Sequence, residues 1–357
     1  MTTREAMAEQ LQLDPSSPTK TFVLDVHADE SVEPIDFLAQ ALALPGRVHS
    51  TEDAYMFRAD VEDETFWVDQ LDSRFWSFHT DMSTARAQSF LRERVEARRD
   101  LDWIWLPSEH LRHSWPGARF QRVRTDFSGR SFLGEDEKGR DLKLQASGKH
   151  AEQLLTLLGE LPGYRSAVSL EGVQMAVSSP GFGGVVEGID RMGKFAVTGD
   201  SFELHLQLVE RVVRRYGDFV RRFEDQALAW TPSELGSGNG GSLAGRAIIV
   251  TFSRTIPDMD RFLNELLAAR QPFRLWGAPV VRDGVAEVEG VDLHVGQRLR
   301  LDVGPQWMRI YLESGACGNT VARLLANLQH RFDSALTLVD PTLQAAFVAE
   351  NELVVAG

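Results

Sequence analysis

Trp105-Leu106-Pro107-Ser108-Glu109 and Trp230-Thr231-Pro232-Ser233-Glu234 are near-copies of one another, and Val339-Asp340-Pro341-Thr342 carries the same pattern in reduced form. Upstream of each lies a second shared mark at the end of an apolar helical stretch: Leu44-Pro45-Gly46, Leu161-Pro162-Gly163 and Gln271-Pro272. The prolines of the two marks are 62, 70 and 69 residues apart in the three copies. Shared order and spacing point to a threefold internal repeat, which has to be settled before any local reading because it decides the whole fold. Arg222-Phe223-Glu224 and Arg331-Phe332-Asp333, each with its phenylalanine nine residues before the closing proline, extend the match.

Each copy has the same internal grammar. A short apolar strand opens it, at Thr21 to Val26, Leu142 to Ala146 and Ala247 to Phe252. A helix follows, with apolar residues three to four apart, as in Leu154, Leu157, Leu158 and Leu161. Ser31, with Pro34 in the first turn, marks the start of the first such helix. Three or four short alternating runs separated by Gly, Asp and Pro then read as hairpin-linked strands. A longer helix closes the copy; in the second it carries Leu208, Val212, Tyr216, Phe219 and Phe223 on one face and Arg211, Arg214, Arg215, Arg221 and Arg222 on the wet face.

The fold class that follows is α+β: three degenerate β-α-β(3–4)-α repeats, each an antiparallel sheet covered on one face by two helices. This order resembles the helix-grip and TATA-binding-protein-like arrangements, a likeness of fold that carries no chemistry. The expected division is a mobile tail at 1–19, a first repeat at 20–110, a connector at 111–141 with a hairpin through Phe120-Gln121-Arg122-Val123, and a second repeat at 142–232. A flexible Gly/Ser linker at 233–245, a third repeat at 246–345 and a C-terminal tail at 346–357 complete it.

Composition narrows the class of function. The 357 residues are 43% hydrophobic and 25% charged, so the chain is neither disordered nor collagenous. One cysteine, Cys317, excludes an intrachain disulfide and fits a reducing compartment, and neither a membrane span nor a signal sequence is read, so a cytoplasmic location is expected. The net charge of −14 is unevenly spread: −12 over residues 1–83, +4 over 84–149 and −6 over the remainder. An acidic average opposes nucleic acid, whereas the middle segment does not.

No catalytic residue, cofactor or metal is assigned, because every candidate has an equally good plain explanation. Cys317 lies before the last helix in Ser314-Gly315-Ala316-Cys317-Gly318-Asn319, where a helix N-terminus lowers a thiol pKa, but no base is evident; His294 and His330 are the nearest histidines in sequence. His110 and His113 are spaced to share a metal on a helix but lack further ligands. Asp25, His27 and Asp29 alternate along a strand, as metal-holding acidic strands do, yet the other two copies hold nothing similar. Ser178 to Gly184 is glycine-rich but leads into a strand, so it reads as a hairpin loop.

Two surfaces are better marked. Phe66, Trp67, Phe75, Trp76, Trp103 and Trp105 are candidate partner-binding anchors, ringed by Glu62, Asp63, Glu64, Asp69 and Asp72. Arg94, Arg98, Arg99, Arg112, Arg122 and Arg124 are candidate contacts to an anion or nucleic acid. The expected function is a non-catalytic scaffold or recognition subunit of a cytoplasmic bacterial assembly, binding protein partners or a second copy of itself. Nucleic-acid binding through 84–149 is the first alternative, and a metal- or Cys-dependent hydrolase the second.

Overall fold

The computed structural model describes residues 3–13, 16, 18–70, 72–134, 141–162, 164–179, 181, 183–232 and 241–349. The chain is mixed α+β with antiparallel sheets. The first third consists of α1 (Thr3–Leu13), β1 (Thr19–Val26), α2 (Pro34–Ala41), β2 (Val48–Ser50), β3 (Met56–Val61), β4 (Glu64–Asp69), β5 (Phe75–Thr80), α3 (Thr84–Ala97), β6 (Leu101–Trp103) and α4 (Ser108–Arg112). The middle holds β7 (Arg119–Phe127), α5 (Arg130–Leu133), β8 (Leu142–Ser147), α6 (Ala151–Glu160), β9 (Leu170–Ser179), β10 (Gly183–Asp190), β11 (Lys194–Gly199), α7 (Phe202–Glu224), β12 (Ala229–Pro232) and β13 (Gly241–Ala244). The last third is β14 (Ile248–Thr251), α8 (Met259–Leu266), β15 (Leu275–Arg282), β16 (Val285–Asp292), β17 (Arg298–Gly304), β18 (Trp307–Leu312), α9 (Asn319–Arg331), β19 (Thr337–Leu338) and α10 (Pro341–Phe347).

Strand order in the first unit is β2-β3-β4-β5-β1 with β6 paired to β1, and in the third it is β15-β16-β17-β18-β14-β19. These two orders coincide strand for strand. The second unit departs from them. Its opening strand β8 does not lie beside β11; it pairs with β7, which in turn pairs with β9. The edge of β11 is taken instead by β1, through Thr19 to Phe22, so the first two units share one 11-stranded sheet. Local structure departs in the same place: Pro107 and Asp340-Pro341 open helices α4 and α10, whereas Trp230-Thr231-Pro232 lies in strand β12.

Three boundaries also differ from expectation. Part of the supposed N-terminal tail is α1, whose Met7 and Leu11 are buried in the core. The linker's last residues form β13, paired with β12, while 233–240 lie outside the described residues. The start of α2 is marked by Glu33 and Pro34 rather than by Ser31, whose N–H and hydroxyl both bind the Asp29 carboxylate.

The sheet around β1 is covered on both faces, not one. All eight residues of β1 are buried. Phe22, Leu24 and Val26 join a cluster with Phe37, Leu38, Leu91 and Val95 of α2 and α3. Val23, on the alternate face, joins a second cluster with Leu208, Val212 and Tyr216 of α7. Helix α7 therefore caps the back of the first unit's strands as well as its own. Arg215 of α7 faces inward and donates to the carbonyls of His110 and His113, contrary to its expected wet position. Helix α9 has 12 of its 13 residues buried, so it runs through the interior rather than along a surface.

Candidate metal centre

The inward-facing side of β1 delivers Asp25 to the junction between the first unit and the N-terminal end of α9. His27 follows directly after β1, His294 sits in the turn between β16 and β17, and Cys317 stands two residues before α9. One donor atom from each of these four residues lies within 4.8 Å of every other. Cys317 Sγ is 3.4 Å from His27 Nε2 and 3.6 Å from Asp25 Oδ2. His27 Nε2 is 3.4 Å from Asp25 Oδ1, and His294 Nε2 is 3.5 Å from Asp25 Oδ2. Tetrahedral zinc with bonds of 2.0–2.3 Å holds its donor atoms about 3.3–3.8 Å apart, so these four separations have the scale of a coordination shell.

The direction of the nitrogens separates metal binding from nucleophilic catalysis. In a Cys-His-Asp relay the thiol and the carboxylate meet opposite nitrogens of the ring. Here the same atom, His27 Nε2, faces both Cys317 and Asp25. The four donors converge on a common point instead of forming a chain. His294 strengthens this assignment, because it is fully buried and neither ring nitrogen makes a hydrogen bond, Nε2 having only its 3.5 Å approach to Asp25. An unpartnered buried imidazole costs free energy that a ligated ion would recover.

Charged neighbours bracket the cluster. Arg74 donates from Nε to Asp25 at 2.7 Å, from Nη1 to Glu224 at 2.7 Å and from Nη2 to Cys317 Sγ at 3.1 Å. Burial pushes the Asp25 carboxyl up, but the adjacent imidazoles of His27 and His294 and the charge of Arg74 outweigh it and hold the group well below the usual carboxylate range. Burial, and then the charge of Asp25, push the Cys317 thiol well above its ordinary value. A bare thiol in this setting favours its protonated form; a divalent cation held there would stabilise the thiolate by direct ligation.

The supporting groups hold the ligand loops in place. Gln297 Oε1 accepts from Cys317 N at 2.8 Å, and Glu224 Oε1 accepts from Gly318 N at 2.9 Å. Asp292 accepts from His294 N at 3.2 Å and from the Thr320 hydroxyl at 2.6 Å. Behind it, the buried guanidinium of Arg323 bridges Asp292 and Asp102. Asn319 donates to Asp102 and accepts from the Tyr216 hydroxyl, so α7, α9 and the β6 strand are tied into one polar network.

Of the sequence candidates, Asp25, His27 and Cys317 are thus brought together. Asp29 is not among them; it caps the Ser31 turn. His294 is, with His330, one of the two histidines nearest Cys317 in sequence and carries no motif, so the signal that completes the site is tertiary. His110 and His113 do not converge: His110 is buried with Nε2 donating to the Ala346 carbonyl, while His113 Nδ1 faces the Glu109 carbonyl. His330 is buried elsewhere, beside the Asp126 carbonyl.

The aromatic candidates are placed mainly in the interior. Phe66, Phe75, Trp76, Trp103 and Trp105 are each 5% exposed or less, and Trp67 is partly buried against the core. Phe75 and Trp76 are buried together because both faces of β5 are covered, Phe75 meeting Tyr216 and Trp76 meeting Phe37. The arginines do not form one patch. Arg94 donates to the Leu42 carbonyl and covers Phe90, Arg98 pairs with Asp100, and Arg112 pairs with Glu109. Arg122 and Arg124 project outward from β7, and Arg99 is exposed after α3. No helix among the described residues is long and apolar enough to cross a membrane.

The match to the MJECL33-like protein model runs over residues 2–346, through all three units and all four candidate ligands. The chain belongs to that family. A relative named Uncharacterized protein MJECL33, from Methanocaldococcus jannaschii, is 24% identical over 335 residues, covering 82% of this chain and 80% of that protein. That relative is archaeal.

Proposed function

We propose that this MJECL33-like chain is a metal-binding protein in which one zinc-class ion, held by Asp25, His27, His294 and Cys317, locks the first unit to the third. The convergence of four donor atoms of three chemical kinds, with an unpartnered buried imidazole among them, carries the reading. Mixed thiolate, imidazole and carboxylate donors favour zinc over magnesium or calcium. Four protein ligands close the shell, which favours a structural role over an open catalytic one. The scaffold function thereby takes a concrete form, a repeated body whose ends are joined by metal. The coincident strand order of the first and third units supports an origin by duplication, with the second as a diverged copy. A thiol ligand suits a reducing cytoplasm.

The test is metal analysis of the purified full chain, followed by reconstitution with cobalt. Wild-type protein is expected to retain near-stoichiometric zinc and, with cobalt, to show a thiolate charge-transfer band. Cys317→Ala and His294→Ala lose both signals, and Asp29→Ala keeps them. Wild-type spectra indistinguishable from those of Cys317→Ala would sink the assignment.

A further inference from the structure

A second feature lies where the first and third units meet. A cleft of about 480 Å³ opens between the end of α3 and the α8–β15 turn, lined by Arg98, Arg99, Arg270 and Arg274 with Glu96 and Leu293. Its size falls within the range of small-molecule sites, which favour such junctions. Arg274 forms its base. That side chain is 6% exposed, and it donates to the carbonyls of Leu101 at 3.0 Å, Arg98 at 2.6 Å and Leu293 at 3.3 Å, so one guanidinium fastens both walls. Its backbone sits at φ +53°, a left-handed conformation unusual for a side chain of this kind.

Arg99 reaches across the opening from the first unit. Its Nη1 is 3.4 Å from where a side chain on Gly296 of the third unit would begin, and glycine leaves that approach open. Arg99 has no ion pair among the described residues. Arg98 is paired with Asp100, Arg274 approaches Asp102 at 3.7 Å, and Arg270 holds Glu265 only through an exposed contact, which leaves Arg99 as the lining guanidinium with no acid partner among the described residues. No aromatic side chain lines the cleft, so stacked bases are not what it is shaped to hold.

We infer that this cleft binds the phosphate or diphosphate group of a small anionic molecule, with Arg99 and Arg270 as its gripping side chains and Arg274 fixing the walls. Guanidinium forks match the oxygens of a phosphate in pairs, and the unpaired Arg99, with Arg270 held only by an exposed surface pair, favours an oxyanion over a neutral ligand in this open cleft. The inference stands apart from the metal reading, since none of the four metal ligands lines the cleft.

Calorimetric titration of the full chain with sodium pyrophosphate and with inorganic phosphate in low-salt buffer tests it. Saturable binding is expected with at least one of them, weakened about tenfold or more in Arg99→Ala/Arg270→Ala. An Arg122→Ala/Arg124→Ala chain, altered on the distant β7 surface, is expected to bind as wild type does. No saturable binding of either anion, or equal loss in both variants, would overturn the proposal. So would binding of a labelled single-stranded oligonucleotide that depends on Arg122 and Arg124 while neither small anion binds. Repeating the titration with Cys317→Ala separates the two readings, because the cleft is expected to keep its anion affinity when the metal ligand is gone.

Discussion

Cys317 Sγ, at the entry to the last long helix, lies 3.4 Å from His27 Nε2, at the exit of the first strand, although 290 residues separate them in sequence. This contact brings the first and last thirds of the chain together at the proposed metal site. The ion proposed there is a cross-link, and cross-links of this kind contribute their binding free energy to folding. At free metal about a thousand times its dissociation constant the contribution is about 4 kcal/mol, which corresponds to a melting shift on the order of 5 °C or more. Thermal melts with and without a chelator are expected to show that shift for wild type. For His294→Ala/Cys317→Ala the two curves are expected to superimpose.

A second prediction concerns the charge behind the site. Arg323 is fully buried between Asp102 and Asp292 and pairs with both, with Arg274 a more distant second partner of Asp102 at 3.7 Å. Arg323→Ala leaves two buried carboxylates facing a void. The expected loss is about 3–5 kcal/mol in urea unfolding, the scale for breaking a buried pair by removing one partner. Arg323→Met combined with Asp102→Asn and Asp292→Asn is expected to recover much of that loss, because the repulsion then disappears with the charge. A single Arg323→Met variant as stable as the triple one would show that the pairing is weak.

Acid stability follows from His110. Burial, with the nearby charge of Arg215, lowers its pKa to about 3, so the folded protein holds it neutral. In the unfolded chain the same ring takes up a proton near pH 6.5. The unfolded state therefore binds more protons as pH falls, and stability is lost from about pH 6.5 down towards pH 3. By pH 5 the cost is about 2 kcal/mol from this residue. Urea midpoints measured at pH 7 and pH 5 should differ less for His110→Gln than for wild type. An unchanged difference would mean that His110 is not the group concerned.

How much of this was legible depends on the range of each interaction. The α+β class and the positions of β1, α2, α7, α8 and α9 follow from local periodicity. The distinct pairing of the second unit does not, because β11 is taken by β1, a strand more than 170 residues away, and nothing local in Lys194 to Gly199 signals that choice. The same limit governs the aromatics. Phe75 and Trp76 alternate along β5, so a strand covered on one face would expose one of them; β5 is covered on both faces and buries both. Asp25, His27 and Cys317 were visible as residue types with useful chemistry. His294 lacked any neighbouring motif, and Asp29 belonged to the pattern but not to the site, because β1 ends at Val26 and the chain turns there. Alternation predicts a shared face only as far as the strand continues.

Gly318 tests the geometry of the metal centre without touching a ligand. It separates Cys317 from α9, and a Cβ placed there would lie 2.2 Å from the Val220 carbonyl oxygen and 3.0 Å from Glu224 Cγ. The obstructing atom is backbone of α7, which cannot rotate aside. Gly318→Ala must therefore push the start of α9 away from α7, weakening the Glu224 bond to Gly318 N and carrying Cys317 outward from His27 and Asp25. Overpacking of this kind costs about 1–3 kcal/mol, and the cobalt thiolate band is expected to weaken or shift along with the loss. Gly159→Ala, in helix α6 with no atom within 4 Å of the new methyl, serves as the comparison and is expected to leave the band intact. If Gly318→Ala were destabilised yet bound cobalt with an unaltered spectrum, the position of Cys317 would not depend on the close contact between α7 and α9.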